Sequence, residues 1–349
     1  MVEEKRYIEL DYFNAICCLL VILIHVLSLG ISSLARDSWQ AAIVFFPWKI
    51  SAFVVPAFLF SGAVKIATSL DESWSVKKYW KYIRRRISKI YLPYVLWHTI
   101  YYFVFLKIGF ASGTAKEYFN SLFWGTLSSP FYYIVIVMQF YILYPVWRYC
   151  VKKLPGYIPI LASILLTFVS MESNQFLHEI LPGFEFSDRL FTTYLIFWIS
   201  GLYIGKYYDQ FKIVLLSSKK NIVIASISVS AFILTSYFQY ATSNYFFSMS
   251  YLKIFSDLLS ICVLLYICLN LVQKNGLFTY TLKFVSNASF FVYLSHSLFL
   301  TLITYFLQRN GIDRISILLL WRFMITYSTP FLLYLIWKKV KGNMLRLFK

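Results

Sequence analysis

Apolar runs of about 20 residues recur along the whole chain, and they constrain its fold more than any other feature. A helix needs about 20 apolar residues to cross the hydrocarbon core of a bilayer. The chain is 60% hydrophobic and only 14% charged, whereas soluble domains are roughly 45–50% apolar and about 25% charged. The sequence therefore predicts an all-α, polytopic membrane helix bundle.

Hydropathy predicts about ten transmembrane helices. The predicted spans are 10–30, 41–64, 90–110, 131–149, 155–171, 190–207, 221–239, 251–272, 287–307 and 315–337. With the N-terminus inside, the cytoplasmic segments hold the large majority of the 33 Lys and Arg residues, as the positive-inside rule requires. We therefore expect both termini in the cytoplasm and one integral membrane domain over 1–349, without a soluble domain.

The charges and cysteines exclude several classes of function. The net charge of +18 is spread between apolar spans, so it suits retention against an anionic membrane surface better than nucleic-acid binding. The five cysteines lie in or beside apolar spans without metal-ligand spacing, and they are expected to behave as small hydrophobic side chains. The lipid bilayer is an expected partner; a metal ion and a nucleic acid are not.

His25 is the candidate catalytic residue of the first span, ELDYFNAICCLLVILIHVLSLG. An ionisable side chain is costly in hydrocarbon, so it normally faces a bundle interior or a wet cavity and marks a functional site. Imidazole can serve as a general base because it titrates near working pH. A structural histidine that hydrogen-bonds a neighbouring helix is the alternative.

Five segments along the chain form an ordered set of motifs. They are ELDYFNAICCLLVILIH in the first span, PAFLFSGAV at 56–64, YWKYIRRRISKIYLPYVLW at 79–97, YYIVIVMQFYILYPVW at 132–147 and FVSNASFFVYLSHSLFL at 284–300. In this order they resemble the acyltransferase 3 family of integral membrane acyltransferases. Spacing and aromatic content are most similar to the membrane acyltransferase of the polysaccharide intercellular adhesin cluster.

The resemblance implies transfer of an acyl group, usually acetyl from acetyl-CoA, to a hydroxyl of a cell-envelope glycan or lipid-linked sugar. It makes His25 the general base or a transient acyl carrier. The sequence departs from the family at two arginine positions, which hold Asn14 and Lys89 here. An asparagine can hydrogen-bond a phosphate but cannot hold it by charge.

The resemblance places the acyl-CoA phosphates near Asn14 and a basic cluster, which consists of Arg84, Arg85, Arg86 and Lys89. Arginine binds phosphate in a bidentate way, whereas lysine offers a point charge. Arg84, Arg85 and Lys5 are the candidates to replace the charge missing at Asn14. The alternative for the cluster is plain cytoplasmic retention with anionic lipid contact.

His296 and Asp257 are the remaining candidate catalytic residues. His296, in the YLSHS segment, could support catalysis or bond a facing helix. Asp257 lies in the eighth predicted span, where a carboxylate beside a histidine would fix the tautomer of the ring. A structural ion pair of Asp257 with Lys49 is the alternative. We expect His98 to be a packed structural histidine.

The predicted outer loops at 172–188 and 240–250 are acidic and aromatic, which suits a carbohydrate, although ordinary solvated loops explain them too. The main functional hypothesis is a membrane O-acyltransferase acting on a cell-surface or exopolysaccharide sugar with acyl-CoA as donor. The alternative is a polysaccharide exporter or flippase without acyltransferase chemistry. The altered arginine positions favour that alternative, and the lack of a visible inverted repeat opposes it.

Overall fold

The computed structural model describes residues 6–69, 75–180, 186–244, 249–274 and 276–347, with the side chains of 173–180 and 342–347 left aside. These residues form helices and their connections, and no strand lies among them. The α-helices are α1 Ile8–Ser33, α2 Trp39–Ile50, α3 Val54–Thr68, α4 Val76–Arg86, α5 Leu92–Lys107, α6 Ala115–Trp124, α7 Tyr132–Ile142, α8 Tyr144–Lys153, α9 Tyr157–Ile180, α10 Leu195–Lys206, α11 Tyr208–Ser217, α12 Lys219–Thr242, α13 Met249–Val272, α14 Leu277–Arg309 and α15 Ile315–Leu347.

Short polar side chains and glycine set several helix ends. The hydroxyl of Ser38 accepts from the N–H of Ala41 at 3.2 Å and opens α2, and Thr114 does the same for α6. Such caps satisfy amide groups that the first turn leaves without partners. Gly125 ends α6 at a φ of +66°, which favours glycine.

Six helical segments among the described residues are long and apolar enough to cross a membrane. They are Ile8–Ser33, Trp39–Thr68, Lys219–Thr242, Met249–Val272, Leu277–Arg309 and Ile315–Lys341. A seventh is possible if Ala115–Trp124 and Ser129–Ile142, bent by 54°, form one broken span. All ten predicted spans contain helix, but among the described residues only these six segments, or seven with the bent pair, are both long and apolar enough. The count of ten and the cytoplasmic termini stay predictions.

The described residues group into two compact units. The first unit is Val55–Ser217, and the second is Arg6–Val54 with Ser218–Lys349. The expectation of one integral membrane domain over 1–349 stays a prediction.

In the first unit, α3 packs closely against α10. The rings of Phe140 and Trp198 stack at 4.4 Å in the core. A Cβ added to Gly201 would lie 2.5 Å from the carbonyl oxygen of Phe60, and one added to Gly205 would lie 2.8 Å from that of Val64. Small residues four apart are a common means of close helix approach in membranes.

In the second unit, α1 packs against α2, α13, α14 and α15. Its buried face includes Phe13, Ala15, Cys17, Cys18 and Ile22, each 0% exposed. Two hydroxyl or thiol groups also bond across this core: Tyr327 donates to the carbonyl of Leu19 at 2.7 Å, and Cys18 to that of Ser289 at 3.7 Å. The helix that carries His25 is therefore the central helix of this unit.

Candidate functional site

The second unit brings His25 of α1 and His296 of α14 together. Their ring centroids lie 5.4 Å apart with an angle of 39° between the planes. His296 is fully buried, whereas His25 is half-buried. α1 and α14 are direct neighbours, and each helix contributes one histidine to the contact between them. The structure therefore shows a pair of histidines, whereas the sequence singled out His25 as the main catalytic candidate.

The hydrogen bonds of His296 define its tautomer. Its Nδ1 lies 2.8 Å from the carbonyl oxygen of Tyr293 and 3.1 Å from that of Val292. A carbonyl oxygen only accepts, so Nδ1 carries the hydrogen and Nε2 keeps its lone pair. Within the described part of the chain, this buried Nε2 has no hydrogen-bond partner. It is an acceptor available to a neighbouring N–H or O–H group.

Arg322 of α15 fixes the backbone around His25. Its Nη2 donates to the carbonyl of His25 at 2.8 Å and its Nε to that of Val26 at 3.1 Å. Its Nη1 donates to Oγ1 of Thr304 at 2.8 Å, so one buried guanidinium joins α15 to α1 and α14. An arginine has five N–H donors, which leaves donors on both terminal nitrogens.

Arg322 is a candidate functional residue that the sequence motifs do not single out. The signal was nevertheless present, because an arginine within the apolar segment ISILLLWRFMITY is costly in a membrane and marks a candidate site.

Asn14 lies on the same helix as His25 and on nearly the same face. Eleven residues span about three turns, or about 16 Å along the axis. Its side chain is half-buried. The helix can therefore present both groups to one side of α1, and the role of Asn14 in donor binding stays a prediction.

Asp257 of α13 is engaged in an ion pair. Its Oδ2 lies 2.5 Å from Nζ of Lys253, one turn earlier on the same helix. Lys49 lines the same small cavity. Backbone carbonyls, and not this carboxylate, hold Nδ1 of His296, so the geometry agrees better with a structural ion pair. The catalytic role of Asp257 stays a prediction.

The basic cluster belongs to the first unit. Arg84 and Arg85 of α4 are exposed, and so is Lys89 in the π-helical turn Ile87–Tyr91. Arg86 differs, because its guanidinium lies over the rings of Tyr82 at 4.9 Å and Tyr141 at 4.5 Å. Three of the four predicted phosphate ligands are thus solvent-facing, while Arg86 is held in aromatic contact.

Two further residues have packing roles in the first unit. His98 is fully buried, and its Nε2 lies 3.0 Å from Oγ of Ser121, which agrees with the structural role predicted for it. Gln139 donates to the carbonyl of Arg189 at 2.8 Å and accepts from the N–H of Phe191 at 3.0 Å. It therefore anchors the irregular segment before α10.

Some predictions concern residues outside the described part. Lys5 is one, and so are much of the predicted outer loop at 172–188 and residues 245–248 of the loop at 240–250. Where the first of these loops begins, the backbone is helical, because α9 continues to Ile180.

Comparison with known proteins places this geometry in a family. The family described as "Acyltransferase domain" matches residues 7–337. A probable poly-beta-1,6-N-acetyl-D-glucosamine export protein of Staphylococcus aureus (strain N315) is 25% identical over 309 residues, which cover 85% of this chain and 83% of the relative. The protein of that name in Staphylococcus epidermidis is 24% identical over 314 residues, covering 85% of this chain and 82% of the relative. No solved structure matches the chain.

The family match extends from the start of α1 to the end of the apolar part of α15, so it includes both histidines, Arg322 and the basic cluster. It confirms the resemblance found in the sequence motifs. With its apolar helices and bacterial relatives, the chain is a multi-pass bacterial membrane protein that belongs to the acyltransferase family.

Proposed function

We propose that this chain is a membrane O-acyltransferase that transfers an acyl group, acetyl in the first instance, from acyl-CoA to a hydroxyl of a cell-surface or exopolysaccharide sugar. The observation that carries the proposal is the His25–His296 pair, in which the buried acceptor Nε2 of His296 has no partner within the described residues. An unpaired buried polar atom is costly, but Nδ1 of the packed His98 also has no partner among the described residues. The close approach of two imidazoles, and not the unpaired nitrogen alone, therefore supports the proposal.

His25 is the base in this proposal, and His296 positions it. The half-buried ring of His25 is the one that a substrate can reach. In the proposed reactive arrangement its N–H donates to Nε2 of His296, which has no partner among the described residues. That hydrogen bond leaves the other nitrogen of His25 with a lone pair for the acceptor hydroxyl, as the second residue of a catalytic triad is held by the third. Such hydrogen bonds are often loose before substrate binds.

The proposed acyl transfer needs only the sugar, the acyl-CoA and His25. The hydroxyl oxygen of the sugar attacks the thioester carbonyl, its proton passes to His25, and a C–O ester bond forms. The C–S bond of the donor breaks, and the proton moves from His25 to the departing thiolate of coenzyme A. Arg322 brings a fixed positive charge beside His25, where negative charge develops on the carbonyl oxygen.

Donor binding is assigned to the cytoplasmic surface. Arg84, Arg85 and Lys89 of the first unit stay the proposed cationic ligands of the coenzyme A phosphates, since all three are exposed. Asn14 of the second unit stays a separately proposed hydrogen-bonding group for the donor. This assignment requires the predicted topology of ten spans with both termini inside, supported by the distribution of Lys and Arg. The acceptor sugar approaches from the opposite side.

A polysaccharide exporter is the second candidate, because the relatives carry the name of export proteins. The two functions separate in cells that lack this chain and are complemented with variants. The acyltransferase predicts normal amounts of surface glycan without the acyl ester when the chain is deleted, or when His25→Ala replaces it. The exporter predicts glycan retained inside the cell.

The measurement is mass spectrometry of surface glycan before and after mild alkaline hydrolysis, with membrane expression followed by immunoblotting. His98→Gln is the matched control, because it alters a buried histidine that lies outside the proposed pair. Full acylation by a well-expressed His25→Ala variant would refute the proposed chemistry.

A further inference from the structure

A basic cavity of about 400 Å³ lies within the second unit. Small-molecule sites usually occupy roughly 300–1,000 Å³. The cavity is formed by the connection between α1 and α2, by α2, by the end of α12 and by the start of α13. Three of its described lining residues are cations, Arg36, Lys49 and Lys253, and none of the described lining residues is acidic. Neither histidine of the proposed pair lines it.

Two of these cations lack a carboxylate. Lys253 pairs with Asp257, which lines an adjoining water-sized cavity that also contacts Lys49. Among the described residues, no carboxylate lies within ion-pair distance of Lys49 or Arg36. Lys49 instead lies 5.0 Å from the ring centroid of Phe232. Asp257 is thus the one carboxylate near three cations, and among the described residues the positive charge of the lining is compensated only in part.

Arg36 is held in place by neutral groups. Its Nη1 donates to Oγ of Ser243 at 3.1 Å, and its guanidinium lies 5.7 Å from the ring centroid of Tyr240. Tyr240 is itself fixed, because its hydroxyl donates to the carbonyl of Ile31 at 3.0 Å. A positioned guanidinium with remaining donors is suited to a bidentate contact with an oxyanion.

A buried hydroxyl is a second, independent sign of a ligand. Ser236 lines the cavity and is 7% exposed, and its Oγ has no hydrogen-bond partner among the described residues. Leaving such a group unpaired costs about 1–3 kcal/mol. Gln239 and Asn244 add amide groups to the same lining. The wall thus offers hydrogen bonds to hydroxyl groups beside its positive charge.

We propose that this cavity binds a sugar that carries a phosphate or carboxylate group, with the oxyanion between Arg36 and Lys49 and the sugar hydroxyls near Ser236. The inference rests on the proposed function and names the class of glycan that this chain binds, an anionic sugar or glycosyl phosphate, at a place apart from the histidine pair. In the proposed topology the cavity opens to the outer side. A sugar with a free amino group is excluded, because its positive charge would face the lysines.

The test uses the full-length protein in phosphatidylcholine nanodiscs and compares N-acetylglucosamine 1-phosphate, N-acetylglucosamine and glucosamine by equilibrium dialysis. We expect the phosphate to bind and both the neutral and the cationic sugar to bind at least tenfold more weakly. Arg36→Gln and Lys49→Met should each weaken binding of the phosphate by about tenfold or more, since each removes a charge-assisted contact.

Two variants serve as matched controls. Arg309→Gln removes a guanidinium that lies 5.9 Å from the Tyr305 ring, and Lys341→Met removes an amine 5.0 Å from the Trp337 ring, both outside the cavity. Affinity should be unchanged in both. If Lys49→Met proves unstable by thermal melting without ligand, Ser236→Ala tests the same cavity, and it should weaken binding of the phosphate sugar.

Equal binding of N-acetylglucosamine and its phosphate would overturn the proposal, and so would unchanged affinity in the cavity variants. Inorganic phosphate, or nanodiscs of phosphatidylglycerol, that displaced the sugar phosphate with equal affinity would also overturn it in favour of a general anion or lipid site. Binding without any glycan acylation in cells would refute the acyltransferase alone. Acylation without this binding would refute the cavity alone.

Discussion

The substitution of His296 by asparagine or by glutamine separates a positioning role from a packing role. An asparagine amide nitrogen lies near the place of Nδ1, so it can keep the contacts with the carbonyls of Tyr293 and Val292. It removes the acceptor at Nε2. A glutamine extends further, and its amide oxygen can replace that acceptor.

The expected magnitude follows from the hydrogen bond that His296 would make to His25. A hydrogen bond to a group that becomes charged during the reaction is worth about 1.5–3 kcal/mol. At about 1.4 kcal/mol per decade in rate, His296→Asn should lower kcat by about 10- to 150-fold with KM little changed. His296→Gln should recover part of that loss. His25→Ala removes the base and should cost about 10²- to 10⁴-fold.

The assay is acyl transfer from radiolabelled acetyl-CoA to glycan in membrane vesicles, with expression and thermal melting of each variant measured in parallel. A packing role predicts that both variants of His296 lower the melting temperature, with activity falling only as folded protein is lost. Equal activity of the asparagine and glutamine variants, or wild-type kcat in the asparagine variant, would contradict the proposed contact.

Three further substitutions test the framework around the site. Gly201→Ala should destabilise the protein by about 1–3 kcal/mol, because its Cβ would lie 2.5 Å from a backbone oxygen, whereas Gly62→Ala at the same helix contact should be near neutral, since its Cβ has 3.8 Å of room. Arg322→Met should reduce acylation, measured per folded molecule. Arg322→Lys should recover little of that loss, because one amine cannot reach three acceptors on two helices. Gln139→Leu should lower the melting temperature, because the half-buried carbonyl of Arg189 and N–H of Phe191 lose their partner, at about 0.5–1.5 kcal/mol each.

The helical class could be predicted from the sequence because apolar length and charge placement are local properties. Helix continuity was less predictable. The predicted span 131–149 breaks at Leu143, between α7 and α8, just before Tyr144 and Pro145. Pro145 has no N–H to donate to the carbonyl four residues earlier, and its ring crowds that turn. Hydropathy therefore predicts one span where the backbone forms two helices.

For the third predicted span, hydropathy predicts a shorter helix than the structure has. Helical backbone extends from Val76 through the π-helical turn Ile87–Tyr91 to Lys107, beyond the predicted 90–110. Pro93, near the start of α5, lacks an N–H and crowds the preceding turn. The widened turn accommodates it without ending the helix. Side-chain hydropathy carries no information about the formation of a π-helical turn.

Site residues were predictable only as far as each residue is unusual by itself. His25 and His296 could be found as ionisable groups in apolar segments, and Arg322 could have been found in the same way. The pairing of Asp257 with Lys253 instead of Lys49 depends on the helix register of α13, where residues four apart share a face. The contact between the two histidines depends on how α1 packs against α14, which no single segment specifies.

Because Asn14 replaces the arginine of the family motif, the proposed chemistry depends on the His25–His296 pair and not on the complete motif. The family resemblance places a charged donor contact three turns before His25 on one face of α1, and this chain has a neutral amide there. A neutral side chain cannot compensate phosphate charge, so the proposed function requires other cations for the donor phosphates, and Arg84, Arg85 and Lys89 are exposed candidates. Losing one phosphate contact weakens donor binding but leaves the base and its positioning residue in place. The asparagine at position 14 therefore predicts a higher KM for acyl-CoA than in a family member with arginine there, with the chemistry at His25 unchanged.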